Sequence, residues 1–234
     1  MSIVNLSDWR FEFSNSSIVD EAQGITRSPT ILSFPTSADL VEYLANEKKD
    51  DYCRIHSVIQ ERLDFDPVVA EWKRTRSLLK NLDHFPNYRR SKSKQYHRAA
   101  VARHQGLATQ HQLDLVAGLE KEIKESRTKI LPGQILFHGS CNASLISGNT
   151  YPTFVSASLH AVVARYHAYS SAGANFRNGT PTVYVLTMCV MSSALWGHAG
   201  KSNEYELLLP TSLTCRQTKQ YSGANFDVIE AEVC

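Results

Sequence analysis

An α+β fold is predicted for this chain, on two observations. Apolar residues recur at helical spacing from Thr36 to about Lys129, and from Ile130 onward short runs rich in β-branched and aromatic residues are set apart by Gly, Pro, Asn and Ser. At 234 residues, 42% of them hydrophobic and 21% charged, the chain is long enough to bury one full core. The expected organisation is an arm at 1–35 followed by a single domain at 36–234, helical over 36–129 and strand-rich over 130–234.

The arm is rich in Ser, Thr and Asn, lacks periodicity and reads as irregular. It carries acids within its first dozen residues and no continuous apolar stretch, unlike a secretory signal peptide or an anchor. No window approaches the ~18–20 apolar residues of a membrane span. An arm of this kind suits a cytoplasmic protein, and equally one exported into another cell without a cleaved signal.

Helices are expected in "TSADLVEYLANEK", with Leu40, Val41, Tyr43 and Leu44 apolar behind a Thr or Ser cap, and in "DPVVAEWKRTRSLLKNL", with Pro67 at its start. A third is expected in "TQHQLDLVAGLEKEIKES", where Leu113, Val116, Leu119 and Ile123 form a one-sided stripe. Strands are expected in "GQILFHGS", "TYPTFVSAS", "TPTVYVLTMCVM", "EYELLLP" and "FDVIEAEV". One helix interrupts them, "SLHAVVARYHAYS", capped by Ser158 and burying Val162, Val163 and Tyr166.

A net charge of +2 does not by itself argue for nucleic acid, but charge is clustered. Ten Lys or Arg and a single acid, Asp83, fall between Lys73 and Arg103, with Phe85, Tyr88 and Tyr96 interleaved. That segment is either a solvated helical face and loop or a surface for a phosphate backbone, a dinucleotide or an acidic protein. The five cysteines, Cys53, Cys141, Cys189, Cys215 and Cys234, are odd in number, widely spaced and without a CxxC pair. They read as free thiols in a reducing compartment, with neither a disulfide framework nor a metal site.

Three features of the strand-rich half bear on chemistry. "LFHGS" ends a strand with His138 and Gly139, the glycine allowing a ligand to approach closely. "FVSAS" ends another with Ser156 and Ser158 on one face, and "NEYELL" opens a third with Glu204 and Glu206 likewise on one face. Each alone is ordinarily structural or solvated. Together and in this order, from about Thr109 to Val233, they resemble the signature of the ADP-ribosyltransferase superfamily, whose members include bacterial toxins and effectors.

The resemblance implies a core of two packed sheets and NAD as the substrate that is cleaved, with no metal. It implies that Glu206 hydrogen-bonds the nicotinamide ribose and stabilises the oxocarbenium-like cation as nicotinamide leaves. Glu204 matches the carboxylate that orients an acceptor guanidinium, and Ser156 matches the serine that binds the ribose and positions Glu206. His138 departs from the pattern: members with Glu-x-Glu usually carry Arg there for the cofactor phosphates, while His, in diphtheria-like toxins and poly-ADP-ribose polymerases, bonds the adenosine ribose. The missing cation is expected from Arg177, with Phe176 stacking on nicotinamide, or from the basic run. The acceptor implied is a side chain of a target protein in a host or competitor cell, arginine favoured and Ser or Thr open; Trp196 and His198 are candidates for recognising it, Trp196 being equally a core residue.

Other readings stay open at this level: NAD hydrolysis, a nucleic-acid acceptor served by residues 73–103, an RNA 2′-phosphotransferase, a cysteine hydrolase using Cys141 beside His138, and an inactive binding module of the same fold.

Overall fold

The computed structural model describes residues 13–15, 30–32, 79, 81–141, 150–158, 161–173, 176–196, 206–211, 213–222 and 226–234. The helix expected over 36–48, most of the one over 66–82, and the Glu204 and His198 assignments fall outside them. In the arm, expected to be irregular, β1 (Phe13–Asn15) and β2 (Thr30–Leu32) pair antiparallel. Both are short runs containing an aromatic or β-branched residue, which suits a pleated backbone.

The helical layer contains α1 (His84–Asn87), a π-helical turn (Tyr88–Lys92), α2 (Ser93–His104) and α3 (Gln110–Glu125). Helix α3 starts where its sequence predicts: Thr109 and Gln112 form a reciprocal capping box. Val116, Leu119 and Ile123 of its stripe are buried, while Leu113, one turn from the end, is partly exposed. Helix α1 has no side-chain cap of its own. Glu122 of α3 supplies one, accepting bonds from the backbone N–H groups of Asp83, His84 and Phe85 at 2.8 Å each. The His84 ring lies where a Cβ on Gly118 would stand, which explains a glycine in mid-helix. Phe85, Tyr88 and Tyr96, interleaved in the basic run, are all buried here, so their faces pack in the core and are not presented for stacking on bases.

Beyond α3 come β3 (Lys129–Ile130), β4 (Ile135–Cys141), β5 (Val155–Ser158), α4 (Ala161–Ala172), β6 (Pro181–Met188), β7 (Ser192–Ser193), β8 (Leu195–Trp196), β9 (Glu206–Leu209), β10 (Cys215–Ser222) and β11 (Asp227–Val233). Seven strands form one sheet in the order β10-β11-β6-β4-β5-β9-β8, and β3 pairs with β7 separately. The α+β class is as predicted. The two expected sheets are two wings of one sheet, because β4 and β5 join through a single residue pair, Phe137 with Ser158. One apolar cluster fills the angle between the wings, taking Leu136, Tyr184 and Leu186 from one and Val155, Leu207 and Leu209 from the other.

Helix α4 covers the opposite face of β4 and β6, so β6 is buried on both sides, which is why "VYVL" is a continuous apolar run. Gly139 is required by that packing: a Cβ there would overlap the Ala164 carbonyl oxygen of α4. The side-chain position of this glycine is thus filled by helix backbone, while its own backbone borders the cleft described below. Val163, Ala164 and Ala168 face the sheet, but Tyr166 is 44% exposed, a correction that follows from the 100° step between helical residues. Ser158 ends β5, buried, with Phe137 and Glu206 as its strand neighbours, and the turn it is expected to cap begins at residues outside those described. On the other face of the short wing, Phe154, Leu195 and Leu208 pack against α1, α2 and α3. Arg103 of α2 grips Glu120 of α3 through two 2.7 Å bonds and also bonds Thr211 just past β9, tying the helices to that wing. Burial pushes the Glu120 carboxyl up, and the bonds from Arg103 and Thr211 more than reverse this. No described helix is long and apolar enough to cross a membrane.

Candidate active site

Strand alternation sends Val155 and Ala157 into the core and leaves Ser156 on the face that looks toward the helices. Antiparallel pairing sets Ser158 opposite Glu206 and Ser156 opposite Leu208. Ser156 and Glu206 are therefore diagonal neighbours on one face, within side-chain reach. The Ser156 hydroxyl donates to Glu206 Oε1, and Arg89 Nη1 donates to Glu206 Oε2. The Arg89 and Glu206 side chains are only 26% and 17% exposed. An ion pair this sheltered is held more firmly than a surface one. Arg89 sits in the π-helical turn, a local distortion that recurs at functional sites.

His138 lies across the seam. Its Nδ1 is 2.7 Å from the Ser156 carbonyl oxygen, which can only accept, so Nδ1 carries the proton. Burial pushes the His138 pKa down, the Ser156 bond opposes this, and the nearby His167 and His97 push it further down. The ring is thus neutral near pH 7, and its Nε2 is an acceptor suited to a hydroxyl. His97 is likewise held neutral by burial, and Tyr88 bonds its Nε2 at 3.1 Å. Burial, and then the Glu206 charge, push the Tyr88 phenol well above its ordinary value, so its hydroxyl stays protonated and donates.

A cleft of about 160 Å³ is bounded by His138, Ser156, Ser158 and Glu206 and, from α4, Ala164 and His167, with Arg89 bonded to its Glu206 from outside the lining. Full small-molecule sites run to roughly 300–1,000 Å³, so this cleft suits one part of a dinucleotide. Of the residues the sequence singles out, it unites His138, Gly139, Ser156 and Glu206. Phe176 and Arg177 are exposed and do not line it. Phe176, in the left-handed region at φ 55°, packs against Tyr169 at 5.8 Å, over which Arg165 also sits. On the helical wheel Arg165 and Tyr169 lie away from the Ala164 and His167 face that borders the cleft. Trp196, a candidate for target recognition, is buried in the core between the wings. Sequence reasoning singles out neither His167, which lines the cleft, nor Arg89, which bonds its Glu206. The basic run was the only sequence signal for Arg89, and it carries no information about which of its ten cations meets Glu206.

No protein-family model and no curated protein matches the sequence. Solved structures are similar to it. The Vis toxin of Vibrio splendidus, an ADP-ribosyltransferase, is 13% identical with a TM-score of 0.47, over 81% of this chain and 87% of that one. The C3larvin toxin of Paenibacillus larvae, also an ADP-ribosyltransferase, is 16% identical with a TM-score of 0.47, over 69% of this chain and 93% of that one. The ADP-ribosylating toxin BECa of C. perfringens, solved with NADH, is 15% identical with a TM-score of 0.48, over 72% of this chain and 49% of that one. The chain is thus similar to solved bacterial ADP-ribosylating toxins, and the likeness is one of fold.

Proposed function

We propose that this protein is a mono-ADP-ribosyltransferase that cleaves NAD and passes ADP-ribose to a side chain of a target protein. The observation that carries the reading is the placement of Glu206: sheltered, bonded by Ser156, and beside a neutral His138 in a cleft of part-dinucleotide size. In this reading the bond between the ribose C1′ and the nicotinamide nitrogen breaks, and its electron pair leaves with nicotinamide. Glu206 bonds the ribose 2′-hydroxyl and faces the cation that develops at C1′. A carboxylate already fixed in a low-dielectric cleft stabilises that charge without reorganising. Ser156 holds Glu206 in place, and His138 Nε2 accepts from a hydroxyl of the adenosine ribose.

Glu206 is paired with Arg89 before substrate arrives. Arg89 moves to the NAD phosphates on binding, supplying the cation that His138 cannot, and so leaves Glu206 to the ribose. Glu204 is the carboxylate that accepts the acceptor's proton; what supports it is its two-residue spacing from Glu206 and the family resemblance. Phe176 and Arg177 belong to a turn that would have to swing past the end of α4 to meet nicotinamide. A role as toxin or effector, with the target in another cell, follows from the same resemblance.

The test is incubation of the purified chain with labelled NAD and a cell lysate, wild type beside Glu206→Gln. Label in discrete protein bands, absent with Glu206→Gln, is the expected result. Free ADP-ribose alone would assign hydrolysis, label in nucleic acid would assign that acceptor, and intact NAD would end the enzyme reading.

A further inference from the structure

The carboxyl ends of β6 and β11 bring together two thiols that the cleft does not use. These strands run parallel with Met188 opposite Val233, so the next residues, Cys189 and Cys234, stand side by side. The Cys189 N–H bonds the Val233 carbonyl oxygen at 2.9 Å, continuing the ladder. Neighbouring strands lie about 4.7–4.9 Å apart, within the roughly 4.4–6.8 Å between Cα atoms that a disulfide spans. Side chains at matched positions of parallel strands leave the sheet on the same side. The Cys189 Sγ lies 3.9 Å from the Thr187 carbonyl oxygen at the strand end, and both cysteines are exposed. Cys141 and Cys215 are less accessible, the latter buried in the core.

We propose that Cys189 and Cys234 are a reversible disulfide site that takes a small-molecule disulfide of the glutathione class as its oxidant. The Cys234 thiolate attacks one sulfur of that disulfide, forming a mixed disulfide and releasing one small thiol. Cys189 then loses its proton, its sulfur attacks Cys234, and the second small thiol leaves. Two protein thiols are oxidised and one external disulfide is reduced to two thiols. The neighbouring Cys234 thiol, ahead of burial, pushes the Cys189 pKa up to about 11, which makes Cys189 the proton-holding, resolving partner. The Glu232 carboxylate pushes it the same way, and the Arg216 guanidinium paired with Glu232 opposes this more weakly. The bridge would clasp the ends of two adjoining strands of the long wing. Along β6 it lies five residues, roughly 16 Å, from Tyr184, the partner of His138, so it leaves the cleft alone.

The test treats the folded full chain with glutathione disulfide, maps the cysteine peptides, and follows thermal unfolding. The expected result is a Cys189 to Cys234 link, reversed by a dithiol, with Tm raised by roughly 5–10 °C. Cys189→Ser and Cys234→Ser should each retain a glutathione adduct on the remaining thiol and lose the Tm rise; both positions are exposed, so both variants should fold. Separate glutathione adducts on the wild type, a link through another cysteine or between two chains, or two thiols that stay free would each overturn the proposal.

Discussion

Strands β4, β6, β10 and β11 pair with one another over seven residues at each interface, whereas β5 pairs with β9 over four and β9 with β8 over two. The long wing is a scaffold, with β6 buried on both faces. The short wing carries Ser156 and Glu206, and it is fastened to the long wing by one residue pair and to the helices by Arg103, Glu120 and Thr211. What the difference teaches is a division of labour. Extended pairing and packing give the long wing its rigidity, and the seam where pairing stops opens the cleft, because only there do side chains from both wings and the helical layer meet without closing a continuous ladder.

The sharpest way to separate the two wings is Glu206→Gln. It should lower the rate of nicotinamide release by roughly 10²–10³ with only a small fall in Tm, since the amide keeps the volume and can still accept from Ser156 but gives up the ion pair with Arg89. Gly139→Ala is the reverse experiment on the scaffold. The added methyl must displace α4 from β4, at a cost of about 1–3 kcal/mol, so Tm should fall by roughly 2–12 °C in a thermal melt, with activity falling in step with the folded fraction. Arg89→Gln tests whether the helical layer serves substrate or Glu206. If Arg89 moves to the phosphates, KM for NAD should rise roughly 10-fold with kcat little changed; a fall in kcat at constant KM would assign it to holding Glu206 instead.

The smallest effect concerns pH. His138 and His97 are pushed below their unfolded value of about 6.5, so the unfolded chain takes up protons that the folded chain does not. Stability should therefore be fully present above about pH 6.5 and decline as pH falls below it. Melts across pH 5 to 8 should show this slope, and His97→Gln should flatten part of it.

Much of the secondary structure was legible because it rests on local rules. The one-sided stripe of Leu113, Val116, Leu119 and Ile123 announces α3, and alternation or continuous apolar runs announce β4, β5, β6, β9 and β11. Strand β10 was not read, because "CRQTKQYS" is an edge strand whose polar, charged residues lack the apolar alternation of a half-buried one. Phe85, Tyr88 and Tyr96 look from sequence like aromatics in a basic surface, and only packing buries them.

By itself the sequence determined the α+β class, the order of the main strands along the chain, and the fact that His138, Ser156 and Glu206 lie on strands with Glu206 opening its own, since period and residue type act over a few neighbours; the expected end of a strand at His138 is corrected, because β4 runs on through Cys141. Tertiary structure alone decided that Arg89 meets Glu206 across 117 positions, that Phe176 sits on Tyr169 away from the cleft, that Gly139 answers to a helix backbone, and that Cys189 and Cys234 become neighbours. Such contacts depend on how strands order themselves and how layers pack, and neither leaves a mark at short range in the chain.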